Sequence, residues 1–353
     1  MGNSMKHTAN LTTAIFFAAL TALYAQSNFL NSATPVLPMA MHNDDSQAKP
    51  PVLLKGISAW SYSYDPKVVA KINSFNAMAK SDRHFKYFFP YAGSLDFDKG
   101  KMAVTLSYDS GKVSDLYAKG LPPGTLIMPI MDARADKKEF DNWTDAQYQA
   151  AALKVAAAIE KDSRAAGVQI DIEPFAEGHL PFYQYLRREL NAHGKYTTMY
   201  VGAGNGKLLT KIFESCDVVV ISGYDLDVEN IGVVRYQKLL MSAMARVQRV
   251  AARTHGKYMV GIPAAASWGE YEYTVDRGGH NRVETGNRQE DYVRAALGVL
   301  RDYQKSPEFL GWALWQLSDT RDVDEPDQAL SHTKFPDYIR PSVWQILAEY
   351  SIK

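Results

Sequence analysis

The sequence predicts an α/β protein folded as a single (β/α)8 TIM barrel. From residue 52 onward short apolar strands alternate with helical patterns, eight such strands can be counted, and no later stretch carries a second core of its own. Eight parallel strands closing on themselves need about 250 residues with their helices. The 353 residues present accommodate them after an N-terminal leader.

That leader comes first. Lys6 and His7 precede an apolar run from Leu11 to Tyr24 that closes on Ala22-Leu23-Tyr24-Ala25, which is the pattern of a secretory signal peptide over residues 1–25. The run falls short of the about 20 apolar residues that span a bilayer, so no stable membrane span is expected. A secreted or periplasmic location follows, with tethering by an uncleaved signal anchor as the alternative. Residues 26–51, rich in Asn, Ser, Ala and Pro without a sustained period, read as a flexible linker. The barrel domain is then residues 52–353.

Its strands are expected at residues 53–60, 85–91, 125–131, 167–172, 196–201, 218–222, 258–262 and 309–315. Thr144 and Gln147 form a capping box opening an Ala-rich helix that runs to Ala165, and residues 181–192 and 234–254 carry helical periodicity. Residues 104–108 read as an extra strand followed by a turn at Asp109-Ser110-Gly111. The connection over residues 267–287 is long, aromatic and charged, and is expected to cover the active face. Cys216 is the only cysteine and reads as a small core residue beside a hydrophobic strand.

Composition narrows the partners. Lys plus Arg equals Asp plus Glu at 39 each, and no basic block with interleaved aromatics occurs, so nucleic acid is not expected as a partner. The 21 Tyr and 6 Trp suit a neutral ligand with flat apolar faces, although most aromatics fill cores. The histidines are scattered without zinc spacing, so neither metal nor cofactor is expected. Gly202-Ala203-Gly204-Asn205-Gly206-Lys207 has the wrong spacing for a dinucleotide or Walker loop, and no Gly-x-Ser-x-Gly elbow is present. An oligomeric state is not fixed by any of these features.

The chemistry concentrates in residues 167–174, Gly-Val-Gln-Ile-Asp-Ile-Glu-Pro. Side chains alternate across a strand, so Gln169, Asp171 and Glu173 share one face and Val168, Ile170 and Ile172 the other. Same-face neighbours are about 6.6 Å apart, close enough for two carboxylates to couple and share a proton. Active residues of such barrels gather at the C-terminal ends of the strands. There the sequence places Trp60 and Tyr62, Tyr91, Asp132, Asp171 and Glu173, Tyr200, Tyr224 and Asp225, and Trp315 with Asp319. Acids among aromatics describe a sugar site. Asp132 and Asp319, each taken alone, read as helix N-caps. Glu173 does not, because Pro174 follows it. The residues permit a two-carboxylate hydrolysis, with Glu173 as acid and Asp225 or Asp227 as second group. They also permit a non-catalytic glycan-binding barrel in which Trp60, Trp268, Tyr271 and Trp315 stack on sugars.

Gly167 to Glu173, Tyr224-Asp225, Gly261-Ile262-Pro263 and Trp315 together resemble glycoside hydrolase family 18, the chitinase-like barrels, across about residues 52–350. The resemblance implies a glycosidase acting on an oligo- or polysaccharide that contains an N-acetylated amino sugar. It implies that Glu173, ending an Asp-x-x-Asp-x-Asp-x-Glu pattern, protonates the glycosidic oxygen while the substrate's own acetamido oxygen attacks the anomeric carbon. Asp171 would orient that acetamido group and Tyr224 would hydrogen-bond its oxygen, with Asp225 beside it and Trp315 as the floor beneath the sugar. Trp60, Tyr91, Gln169, Tyr200 and Trp268 would complete the substrate-binding surface. Two of the four motif acids are replaced, by Ala166 and Gln169. Gln169 is expected to donate a hydrogen bond to Asp171 and hold that carboxylate ionised.

Overall fold

The computed structural model describes residues 49–350, apart from 64, 99–100, 136–139, 225, 227–231, 265–270, 277–278, 285–288 and 318–338; of the side chains of Pro66, Asp82 and residues 271–284 nothing is described. Residues 1–25, read as a signal peptide, and nearly all of the linker lie outside the described residues.

The chain runs β1 (Gly56–Ser61), α1 (Pro66–Met78), β2 (Phe85–Asp98), β3 (Ala103–Tyr108), α2 (Ser110–Ala118), β4 (Leu126–Ile127), β5 (Ile130–Arg134), α3 (Asp145–Glu160) and β6 (Gly167–Glu173). It continues through α4 (Leu180–Ala192), β7 (Tyr196–Val201), α5 (Gly206–Ser215), β8 (Val218–Ile221), α6 (Val233–Thr254), β9 (Lys257–Pro263), β10 (Tyr271–Asp276), β11 (Gly279–Glu284), α7 (Gln289–Leu300), β12 (Phe309–Trp315) and α8 (Pro341–Glu349). Going round, β1, β12, β9, β8, β7, β6, β5 and β2 pair in parallel, and a further β1–β2 pairing closes the circle. This is the expected eight-stranded (β/α)8 barrel with helices outside.

Local chemistry sets the helix starts. Asp65 accepts from the backbone N–H of Lys67 at 2.9 Å to cap α1, whose first residue is Pro66. The Thr144 N–H donates to Gln147 Oε1 at 2.7 Å, the expected capping box of α3. Asn205 caps α5, accepting from Leu208 N–H at 2.9 Å, so the glycine-rich segment before it ends in an ordinary helix start. Asp109 caps α2, so the segment read as a turn opens a helix instead. The sequence Asp-Ser-Gly offered turn chemistry, but Val113 and Leu116 at helical spacing bury the next turn.

Two layers of apolar side chains hold the barrel. Outward residues such as Val168, Ile170, Ile172, Val219 and Val260 pack under the helices, with Phe182, Tyr183 and Leu186 of α4 among their neighbours. Inward residues including Tyr87, Phe89, Met128, Ile130, Val218, Val220, Met259 and Ala313 fill the interior. Cys216 is buried in the outer layer, as expected of a core cysteine. No described helix is long and apolar enough to cross a membrane.

Two strands depart from expectation. The third divides at Met128-Pro129, because proline brings no N–H to the ladder, and then runs on to Arg134. The second continues past Tyr91 to Asp98 and pairs antiparallel with β3 over Gly93–Asp98. Asp132 therefore lies within a strand and Tyr91 midway along one. In the seventh connection β10 and β11 form a separate antiparallel hairpin.

Gly56 and Gly311 face each other on β1 and β12. Gly311 has φ +134°, and a Cβ there would lie 1.9 Å from the Gly56 carbonyl oxygen. Gly311→Ala should thus lower unfolding free energy by about 3 kcal/mol, since strained φ and overpacking each cost about 1–3 kcal/mol. Urea denaturation checks this, and an unchanged midpoint would contradict it.

Candidate functional site

Strand β6 places its polar row inside because its apolar row has a better partner outside. Val168, Ile170 and Ile172 pack under α4, whose Tyr183 hydroxyl donates to the Ile170 carbonyl at 3.1 Å. Gln169, Asp171 and Glu173 then climb the interior toward the C-terminal mouth. Gln169 is 1% exposed and accepts from Trp60 Nε1 at 2.5 Å, a bond from β1 that crosses the interior. Asp171 and Glu173 above it are partly buried.

Strand β5 adds a second row. In register, Ile130 faces Gln169, Asp132 faces Asp171 and Arg134 faces Glu173. Adjacent strands lie about 4.8 Å apart, so the Asp132 and Asp171 carboxyls occupy one rung. Asp132 is therefore not the helix N-cap that it resembles in isolation; Thr144 caps α3 and Asp132 faces the site. The clue was the alternation of Asp132 and Arg134 with Met131 and Ala133, the same pattern as β6.

Burial and neighbouring charge at this mouth change the protonation of Asp132 and Asp171. Burial pushes the Asp132 carboxyl up to about 6, with the Glu173 charge reinforcing it and Arg134 opposing. Burial first, then the charges of Glu173 and Asp132, raises Asp171 well above the usual carboxylate range against Arg134. The expectation that Gln169 holds Asp171 ionised fails here. Gln169 Nε2 is buried without a hydrogen-bond partner, and so is Asp171 Oδ1, because the amide is fixed through its oxygen by Trp60.

The aromatic residues form the other wall. Trp315, at the end of β12, and Tyr224, beyond β8, stack at 4.5 Å with 9° between planes. The Tyr224 hydroxyl donates to the Tyr200 hydroxyl at 2.8 Å. Trp60 meets Trp315 edge-on at 5.6 Å and Tyr224 at 5.8 Å. At 2% exposed, Trp60 lies inside the wall rather than presenting a face to a ligand. Gly261 makes this packing possible, because a Cβ there would sit 2.8 Å from Tyr224 Cδ1 and 2.9 Å from Trp60 Cη2. Trp315 is only partly buried.

Tyr62 completes the mouth, although its sequence position singled out no role. It stacks on Tyr91 at 5.4 Å and meets Trp315 edge-on at 6.0 Å. Burial, then the charges of Asp132, Asp171 and Glu173, drives its phenol far up, so it stays a hydroxyl donor. Asp225, Asp227, Trp268 and Asp319 lie outside the described residues, as does the Tyr271 side chain. Among the described residues no cluster of His, Cys, Asp and Glu is arranged to hold a metal ion. The structure thus brings Trp60, Tyr62, Tyr91, Asp132, Gln169, Asp171, Glu173, Tyr200, Tyr224 and Trp315 to one end of the barrel.

A raised carboxyl has a signature in stability. Between about pH 4 and 6 the folded protein keeps a proton on Asp132 that the unfolded chain, at about 3.9, has released. Its contribution is complete below about pH 4 and is lost as pH rises through about 6. Asp132→Asn should match wild type near pH 4 and exceed it by about 1–2 kcal/mol at pH 7.5. Urea denaturation at both pH values tests this, and a pH-independent difference would contradict it.

No family model and no curated protein sequence matches the chain. Solved structures do. A GH113 beta-1,4-mannanase is 13% identical with a TM-score of 0.54, over 84% of this chain and 98% of that one. The Bacillus megaterium spore cortex-lytic enzyme SleL is 10% identical with a TM-score of 0.52, over 90% and 78%. A chitinase from Chromobacterium violaceum is 17% identical with a TM-score of 0.48, over 75% and 95%. At these identities the likeness of the first two is one of fold, and it matches the barrel described above.

Proposed function

We propose that the protein is a glycosidase that cleaves a glycosidic bond next to an N-acetylated amino sugar. The observation that carries this reading is the meeting of Asp132, Asp171 and Glu173 with a stacked Trp315–Tyr224 pair at the C-terminal mouth of a (β/α)8 barrel. Apolar sugar faces stack on indole rings, and carboxyls beside them can move protons. Two barrels that share the fold are named as a mannanase and a cortex-lytic enzyme, which fits a glycan substrate. If residues 1–25 act as an export signal, that substrate lies outside the cytoplasm.

In the proposed reaction Glu173, at the rim, gives its proton to the glycosidic oxygen as the bond to the anomeric carbon breaks and its electron pair leaves with that oxygen. The substrate's acetamido carbonyl oxygen forms the new bond to the anomeric carbon, giving an oxazolinium ring. Asp171, one position deeper on the same face, accepts the acetamido N–H and offsets the ring's positive charge. Tyr224 and Tyr200, sharing a hydrogen bond, hold the acetamido end. Glu173, now a carboxylate, takes a proton from the water that opens the ring and returns to its starting state.

Glu173→Gln should reduce turnover of N-acetylated oligosaccharides about 100-fold or more, the usual contribution of a general acid, while leaving the fold intact by circular dichroism. Unchanged release of reducing sugar would overturn the assignment. Asp171→Asn should lose a comparable factor; retained activity would remove acetamido assistance from the mechanism.

A further inference from the structure

Asp171 needs a proton partner if it is to be neutral at rest and anionic beside a positive intermediate. Gln169, next to it on β6, cannot serve. An amide does not exchange its proton in this range, and its oxygen is already held by Trp60. The carboxyl on the same rung is Asp132, in register on β5. Both side chains project inward from the shared rung. Asp132 Oδ1 and Asp171 Oδ1 are each buried with no hydrogen-bond partner, and the equally buried Gln169 Nε2 below them is unmatched too. Two carboxylate oxygens are both acceptors, so no ionised pair can satisfy them together. A single proton between them satisfies both.

We propose, resting on the glycosidase reading above, that Asp132 is the positioning residue that shares one proton with Asp171 across the β5–β6 seam. At rest the proton lies on Asp171. When positive charge develops on the acetamido nitrogen, the Asp171 O–H bond breaks as an O–H bond forms on Asp132, leaving Asp171 anionic toward the substrate. The proton returns when the ring opens, so the step neither gains nor loses protons or electrons. Among the described residues the charged and titratable groups that act on this pair are Glu173 on β6, Arg134 on β5, Tyr62 after β1 and Tyr91 on β2, with Tyr183 of α4 behind the strand. Of these Arg134 alone is cationic, and it stands one rung nearer solvent, opposite Glu173. The raised carboxyls of Asp132 and Asp171 agree with a shared proton. Strand geometry places the lost partner on a neighbouring strand, so the carboxyl that β6 lacks at Gln169 is supplied from β5.

The test uses the full-length protein with 13C-labelled aspartate and needs no substrate. In wild type the Asp132 and Asp171 carboxyl signals should each respond in two shared steps. In Asp132→Asn the upper step should vanish and Asp171 should titrate once, at least about one pH unit lower. Independent single-step titrations in wild type, or an Asp171 curve unmoved in Asp132→Asn, would overturn the proposal even if the variant folds poorly, because the wild-type curve stands alone. With an N-acetylated chitin oligomer, Asp132→Asn should lower kcat about tenfold or more with KM nearly unchanged and move the acid limb of the pH profile downward, and Asp132→Glu should restore the profile. A full wild-type profile in Asp132→Asn would overturn it. Activity undiminished in Glu173→Gln would instead remove the glycosidase reading, and the carboxyl titration would still decide the shared proton.

Discussion

The mouth of this barrel depends on one hydrogen bond across its interior, from Trp60 Nε1 on β1 to Gln169 Oε1 on β6. A closed barrel excludes water, so an inward amide and an inward indole each need a partner inside, and leaving either without one costs about 1–3 kcal/mol. Their bond fixes the indole on nearly opposite sides of the barrel at once. Trp315 and Tyr224 then pack edge-on against that fixed ring, and the absence of a Cβ at Gly261 leaves room for Trp60 and Tyr224 to meet. The aromatic wall is therefore positioned by a polar contact one rung beneath it. Gln169 is neutral, so it can be buried at 1% exposure without a counter-ion, and acid chemistry begins only at the rung above.

At that rung the structure accepts an unfavourable arrangement. Asp132 and Asp171 stand side by side, Glu173 follows, and Arg134, the one nearby cation among the described residues, is exposed at the rim. Desolvation and like charge both oppose ionisation of Asp132 and Asp171, so these two hold protons to higher pH than free carboxylates do. Such an arrangement stores instability at neutral pH, which folded proteins tolerate chiefly where protons must move. Tyr62 belongs to the same balance. Burial, reinforced by three neighbouring acids, raises its phenol and keeps it a donor at the place where acceptors are crowded.

Much of this was legible in the sequence, for physical reasons. Alternation of apolar strands and amphipathic helices is dictated by burial on both faces of a parallel sheet, so the eight strands and their order could be read directly. The alternating polar row of β6 could be read for the same reason, since Val168, Ile170 and Ile172 need an apolar partner and only one face has helices. What escaped reading was pairing between strands. Asp132 looks like a helix cap until its register with Asp171 is known, and nothing local announces which residue of β5 faces which of β6. Trp60 looks like a sugar-stacking surface until its nitrogen is seen to be committed to Gln169. Both misreadings arise because a one-dimensional pattern gives the face of a residue and withholds its neighbour across the sheet.

The most direct test of the central claim is the anomeric form of the first product. Proton NMR of an N-acetylated chitin oligomer mixed with the protein, followed from the first minutes, distinguishes retained from inverted configuration before mutarotation erases the difference. Attack by the substrate's own acetamido group followed by water gives net retention, so the β-anomer should appear first. Early accumulation of the α-anomer, or no cleavage at all, would contradict acetamido-assisted hydrolysis led by Glu173 and Asp171.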